Sequence, residues 1–180
     1  MTTKYNPKEI RWYAVKTFYQ KLFKVKQELE KAGCTTYVAM TVVEEVRNGQ
    51  LRYKEKPLIA SLLFVQCSAE FLVAFKHDHE SDMMFYSAPD AYRPAPIDDV
   101  QMRSFILVTS VDKGTRVKFL GESVPDFRRG EHVRVRDGVY KGAEGYIKKI
   151  KSDRMLLVEV TGVAVVAVSY IHPALLEKIA

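Results

Sequence analysis

A chain of 180 residues, 47% hydrophobic and 28% charged, can bury one medium core or two small ones, which excludes wholesale disorder and a large multidomain catalyst. Its net charge of +6 permits a polyanionic partner, and the basic excess lies at the two ends, residues 1–70 and 126–180, around a slightly acidic middle. Cys34 and Cys67 have no CxxC companions, no apolar run approaches the ~20 residues of a membrane span, and MTTKYNPKEI lacks a signal peptide's apolar core. A disulfide framework and a thiolate zinc site are excluded, and a cytoplasmic protein with no membrane partner is expected.

In chain order, Trp12 to Thr17 is aromatic and β-branched and reads as a first strand. From Gln20 to Ala32 the period changes: Leu22, Val25, Leu29 and Ala32 recur at helical spacing, with Gln20, Lys24, Gln27 and Lys31 opposite them and Gly33 as a stop. Thr35 to Val43 is strand-like, Asn48-Gly49 marks a hairpin turn, and Leu51 to Lys56 runs back antiparallel. The apolar run Leu58 to Val65 predicts a central strand, followed by a helix over Ala69 to Lys76. An edge strand is expected at Met83 to Tyr86, a break at Arg93-Pro94-Ala95-Pro96, and helical spacing resumes over Asp98 to Val108.

Residues 110–126 carry Gly114, Gly121 and Pro125 with one short apolar run, Val117 to Leu120, and read as a linker that can include an edge strand. Beyond Phe127, short β-rich runs at Val133/Val135, Tyr146–Ile150, Met155–Val160 and Val163–Val168 are parted by Asp137-Gly138, Ser152-Asp153-Arg154 and Thr161-Gly162. That spacing predicts a small closed barrel, with one helical turn in the tail from Pro173 to Ile179.

No catalytic constellation emerges. GxSxG, HExxH and Walker sequences are absent, and Gly138, Gly142 and Gly145 lie among short strands rather than in a βαβ unit. His77-Asp78-His79-Glu80 has two imidazoles at i, i+2, but no further His or Cys cluster completes a metal site, so the segment reads as a solvated loop. No catalytic residue, no metal and no cofactor is expected.

The stretch from Gly130 to Ile147, with Arg134, Asp137, Gly138, Tyr140, Gly142 and Gly145, sets glycines where a strand ends in a turn and a second strand follows. It resembles the KOW motif of SH3-like barrels in transcription and ribosomal proteins. Trp12 to Thr17, the helix after it, Gly33 to Val38 and Lys56 to Val65 together resemble the amino-terminal (NGN) domain of NusG-family transcription elongation factors. Arg93 to Met102 followed by Phe105-Ile106 is most similar to specialised paralogs, the UpxY-like antiterminators of capsular polysaccharide operons. The resemblance implies an α+β protein: an NGN-like α/β sandwich over residues 8–109, in which a small, mainly antiparallel sheet is flanked by helices, a linker over 110–126, and a C-terminal SH3-like KOW β-barrel over 127–180.

Its implied activity is transcription elongation and antitermination in bacteria, exerted by binding the clamp helices of RNA polymerase and suppressing pausing or termination. Ile59, Leu62 and Phe64 would contribute to an apolar depression facing the clamp; the residues themselves are equally readable as core. Lys16, Gln20, Lys24, Gln27 and Lys31 form a face that could follow the non-template DNA strand, or a merely solvated stripe. The barrel would recruit ribosomal protein S10 or another factor, although Ala143 stands where relatives often carry a larger apolar residue. A ribosome-associated KOW RNA-binding protein is the rival reading, and it accounts for the second domain alone. The crowd of valines from Val158 to Val168 favours strands over helix and predicts a permanent barrel.

Overall fold

A computed structural model describes residues 4–169 and 171–179. Its elements in chain order are β1 (Ile10–Thr17), α1 (Leu22–Lys31), β2 (Thr35–Tyr37), β3 (Met40–Arg47), β4 (Gln50–Pro57), β5 (Leu62–Ser68), α2 (Ala69–Asp78), β6 (Met83–Phe85), β7 (Ser87–Ala88) and β8 (Ala91–Pro94). There follow α3 (Asp99–Ser110), β9 (Val117–Gly121), β10 (Glu131–Val135), β11 (Glu144–Ile150), β12 (Asp153–Val160), β13 (Ala164–Val168) and β14 (Leu176–Lys178). The fold is mixed α/β, and its strand pairs are antiparallel. Two compact units emerge, one of residues 1–38 and 60–97, the other of 39–59 and 98–180.

The first unit is built on the sheet β2-β5-β1-β6. Strand β5 is its spine. Leu62, Leu63, Phe64 and Val65 are all buried, as a strand covered on both faces requires, and Phe64 lies opposite Ala14 and Tyr37. Helix α1 turns Leu22, Val25 and Leu29 inward, and α2 buries Ala69, Leu72 and Phe75 behind an N-cap in which the Ser68 hydroxyl accepts from Phe71 N–H at 3.1 Å.

The second unit contains the hairpin β3–β4 and the sheet β14-β10-β11-β12-β13-β9. Asn48 and Gly49, with φ of 53° and 74°, make the tight turn that joins Arg47 to Gln50. In the larger sheet Phe127, Leu157, Val165 and Ala167 form a buried cluster, with Tyr146, Ile150 and Met155 packed against it. Strand β13 is buried throughout, and Val158, Val160, Val165, Val166 and Val168 stand in strands, with Val163 in the turn that joins β12 to β13. Helix α3 packs against β12 and β11: the Ser104 hydroxyl accepts from Glu144 N–H at 2.9 Å, and Gln101 Oε1 accepts from Thr161 N–H at 3.0 Å.

Several expectations change here. The edge strand allowed for in the linker over 110–126 is β9, which pairs with β13, whereas α3, assigned to the first domain by 8–109, groups with the second unit. Among the described residues the larger sheet runs from β14 to β9 without pairing its ends, an open ladder where a closed barrel was expected. The central strand begins at Leu62 instead of Leu58, because residues 58–61 bend: Ser61 takes φ of 69° and its carbonyl accepts from Thr17 N–H at 2.8 Å. Around the Arg93-Pro94 break a small hairpin, β7–β8, forms. In the tail a 3-10 turn at Pro173–Leu175 leads into β14, which completes the sheet edge beside β10.

Candidate functional site

The three residues expected to face a partner separate by burial. Leu62 and Phe64 are 5% and 1% exposed, whereas Ile59 is half-buried. Alternation along β5 puts Leu62 and Phe64 on one side of the sheet, but that side is covered, so these two are core side chains and not open anchors. The physical reason is position: β5 lies between β2 and β1, where both faces must be closed.

The basic stripe is shorter than the helical period implied. Gln20 falls outside α1, because Tyr19 and Gln20 both take positive φ, 47° and 61°, and turn the chain before Lys21. Lys24, Gln27 and Lys31 are exposed on α1 at i, i+3 and i+7, spanning roughly 10 Å along the helix axis. Lys24 is committed elsewhere. Its Nζ donates to Asp82 Oδ2 at 2.8 Å, which raises the lysine's pKa and holds the Asp82 carboxyl below the usual carboxylate range. Lys16 is exposed on β1, opposite Leu62 on one neighbour and Met84 on the other, and neither it nor Lys31 has an ion-pair partner among the described residues.

The glycine-rich passage after β10 makes a closed loop. Gly142 N–H donates to Val135 C=O at 2.9 Å, Val135 N–H to Ala143 C=O at 2.9 Å, and Asp137 Oδ1 accepts from Gly138 N–H at 2.8 Å. Gly138 and Gly142 take φ of 87° and 93° at its bends. Tyr140 points inward at 6% exposure, and burial pushes its phenol pKa up. Arg134 lies across the strands from Glu144, with Nη2 to Oε1 at 2.7 Å, an exposed pair that fastens β10 to β11. A side chain at Gly145 would collide with the Leu157 carbonyl, so β11 and β12 approach there as only glycine allows. Ala143 is fully buried and presents nothing to a partner.

The histidine pair does not converge on a metal. His77 is exposed on the last turn of α2, while His79 Nδ1 is 2.8 Å from Phe75 C=O and its Nε2 is 2.6 Å from Glu28 Oε2. Among the described residues no group of three or more His, Cys, Asp or Glu is placed to hold an ion. Cys34 and Cys67 are free thiols, and burial pushes Cys67 up to about 12. No helix among the described residues is long and apolar enough to cross a membrane.

One basic surface went unnoticed in the sequence. Arg52, Lys54 and Lys56 alternate along β4 with Tyr53 and Glu55, a period of two that puts all three cations on one side of the hairpin.

The fold presents exposed basic side chains on α1 and β4, as suits a protein that binds a polyanion. The chain belongs to the NusG family: residues 10–106, more than half of its length, match the family described as "Transcription termination factor nusG". The "Transcription termination/antitermination protein NusG" of Borreliella burgdorferi is 27% identical over 160 residues, covering 81% of this chain and 85% of that protein. A solved structure described as "Domain interaction in Thermotoga maritima NusG" is 23% identical and covers 97% of this chain and 100% of that one, with a TM-score of 0.47. The chain is therefore a transcription termination/antitermination and elongation factor, and not an enzyme.

Proposed function

We propose that this chain binds transcribing RNA polymerase at its clamp helices and suppresses pausing or termination, as a specialised paralog serving a polysaccharide biosynthesis operon in the cytoplasm. The observation that carries this reading is the family match across residues 10–106. The rival reading, a ribosome-associated RNA-binding protein, leaves that match unexplained.

Docking falls to residues of the NGN region, 8–109, with Ile59 as the accessible member of the expected trio; Leu62 and Phe64 act by holding β5 in shape. Lys16, Gln27 and Lys31 are the side chains free to meet the non-template strand, by phosphate attraction from the lysines and an amide that can reach base edges. The KOW-type sheet, with its loop at 136–143, recruits ribosomal protein S10 or another factor. The mechanism is a shift of equilibrium: a factor that prefers the processive polymerase to the paused one changes their ratio tenfold for ~1.4 kcal/mol of differential affinity.

Elongation through a terminator with the cognate polymerase tests this. Added protein is expected to raise readthrough, and Ile59→Asp to abolish the gain while its circular dichroism stays that of wild type. Unchanged readthrough with saturating wild-type protein would refute the reading.

A further inference from the structure

The hairpin β3–β4 is a two-stranded ribbon whose faces differ in kind. In register, Thr41, Val43, Glu45 and Arg47 share one face with Lys56, Lys54, Arg52 and Gln50, while Val42, Glu44 and Val46 share the other with Glu55, Tyr53 and Leu51. Residues 44–56 are all exposed. The first face gathers Arg47, Arg52, Lys54 and Lys56 against the single carboxylate of Glu45, and none of the four cations has an ion-pair partner among the described residues. On the second face, by contrast, Glu55 is paired with Lys113 at 3.2 Å.

Folding of the hairpin gives no reason for that arrangement. Cations at successive same-side positions of one strand stand roughly 7 Å apart and repel one another, and the one carboxylate on that face, Glu45 opposite Arg52, does not neutralise all four. A polyanion does so.

The shape narrows the choice of polyanion. A two-stranded ribbon, with strands ~4.8 Å apart, is one of the elements that the ~12 Å major groove of B-form DNA admits, whereas the deep, narrow major groove of A-form RNA does not accept side chains. The tip is slim, since Asn48-Gly49 closes it with no large side chain. We propose that the β3–β4 hairpin binds duplex DNA through Arg47, Arg52, Lys54 and Lys56, by contacts dominated by phosphates. This surface is distinct from the α1 stripe, its ligand is double-stranded, and it binds without polymerase.

The test is fluorescence anisotropy of the full chain with an end-labelled 30-base-pair duplex over a series of salt concentrations. Wild type is expected to bind with a logarithmic salt slope of roughly −3 to −4, about −0.9 per neutralised phosphate. The double variant Arg52→Gln, Lys54→Gln is expected to lose about 2 from the magnitude of that slope and to bind at least ~10-fold more weakly at low salt. Lys149→Gln, Lys151→Gln removes the same charge from exposed positions of the larger sheet and its following turn, and is expected to change binding little. Equal weakening by both doubles, an unchanged hairpin double, or binding of poly-glutamate as tight as that of the duplex would each overturn the proposal. No polymerase enters the measurement, so its failure leaves the clamp reading standing, and failure of the readthrough assay leaves this one standing.

Discussion

The hairpin over 40–57 and strand β5 over 62–68 are separated by four residues, 58–61, and meet opposite fates. Both contain apolar side chains. In β5 they occupy consecutive positions, Leu62 to Val65, and all are buried; in the hairpin Val46, Leu51 and Tyr53 are 71%, 55% and 68% exposed. The difference lies in what alternates with them. The hairpin's apolar face also holds Glu44 and Glu55, and covering that face would strip water from carboxylates at a cost of several kcal/mol each unless a partner compensated them. Apolar content alone therefore separates core from surface poorly. The charge at every second position separates them well.

Phe64 offers the severest test of this contrast. Phe64→Ala is expected to remove about 3–5 kcal/mol of unfolding free energy in urea titrations, whereas Tyr53→Ala stays within about 0.5 kcal/mol. Similar losses for the two would show that the hairpin is packed as firmly as the spine of the sheet. Amide hydrogen exchange probes the same contrast more gently. The β5 amides are expected to exchange only through near-global opening, and those of residues 44–56 at least ~10-fold faster through local opening. Equal protection would erase the distinction.

The smallest effect is on the acid side, and it belongs to the unit that holds β5. Lys24 keeps the Asp82 carboxyl below its ordinary range, so the pair's contribution is present at neutral pH and is lost as pH falls through that lowered value. Asp82→Asn is accordingly expected to lower the urea midpoint at neutral pH, with the gap to wild type closing on acidification. Fluorescence of Trp12, the single tryptophan, reports it. A gap constant with pH would show that the carboxylate is unperturbed.

Much of this molecule was legible where one period ran unbroken. Leu22, Val25 and Leu29 mark the inner side of α1, Asn48-Gly49 the hairpin turn, and Ser68 just precedes α2 as its cap. Legibility failed where long-range pairing overrules local pattern. The run from Leu58 to Val65 looks uniform, yet its first four residues bend because the Ser61 carbonyl is captured by Thr17, 44 residues away. Gln20 has the right spacing for the helical stripe, but two successive positive φ values place it before the helix. Burial of Leu62 and Phe64 was likewise hidden, since an apolar strand reads the same whether its own chain or a partner covers it. The glycines after β10 were visible as spacing, but the demand on Gly145 comes from the Leu157 carbonyl, a contact no local pattern announces.

The two-residue turn at Asn48-Gly49 has a consequence beyond closing the hairpin. Because it pins Arg47 against Gln50, it decides which way every later side chain of β4 points. Inserting one residue after Gly49 would rotate the returning strand by half a period. Arg52 would then stand opposite Glu44 and Tyr53 opposite Val43, with the charge composition of the arm unaltered. The sign of each side of the ribbon is thus a property of loop length as much as of the residues displayed, and a length change at its apex would reverse it.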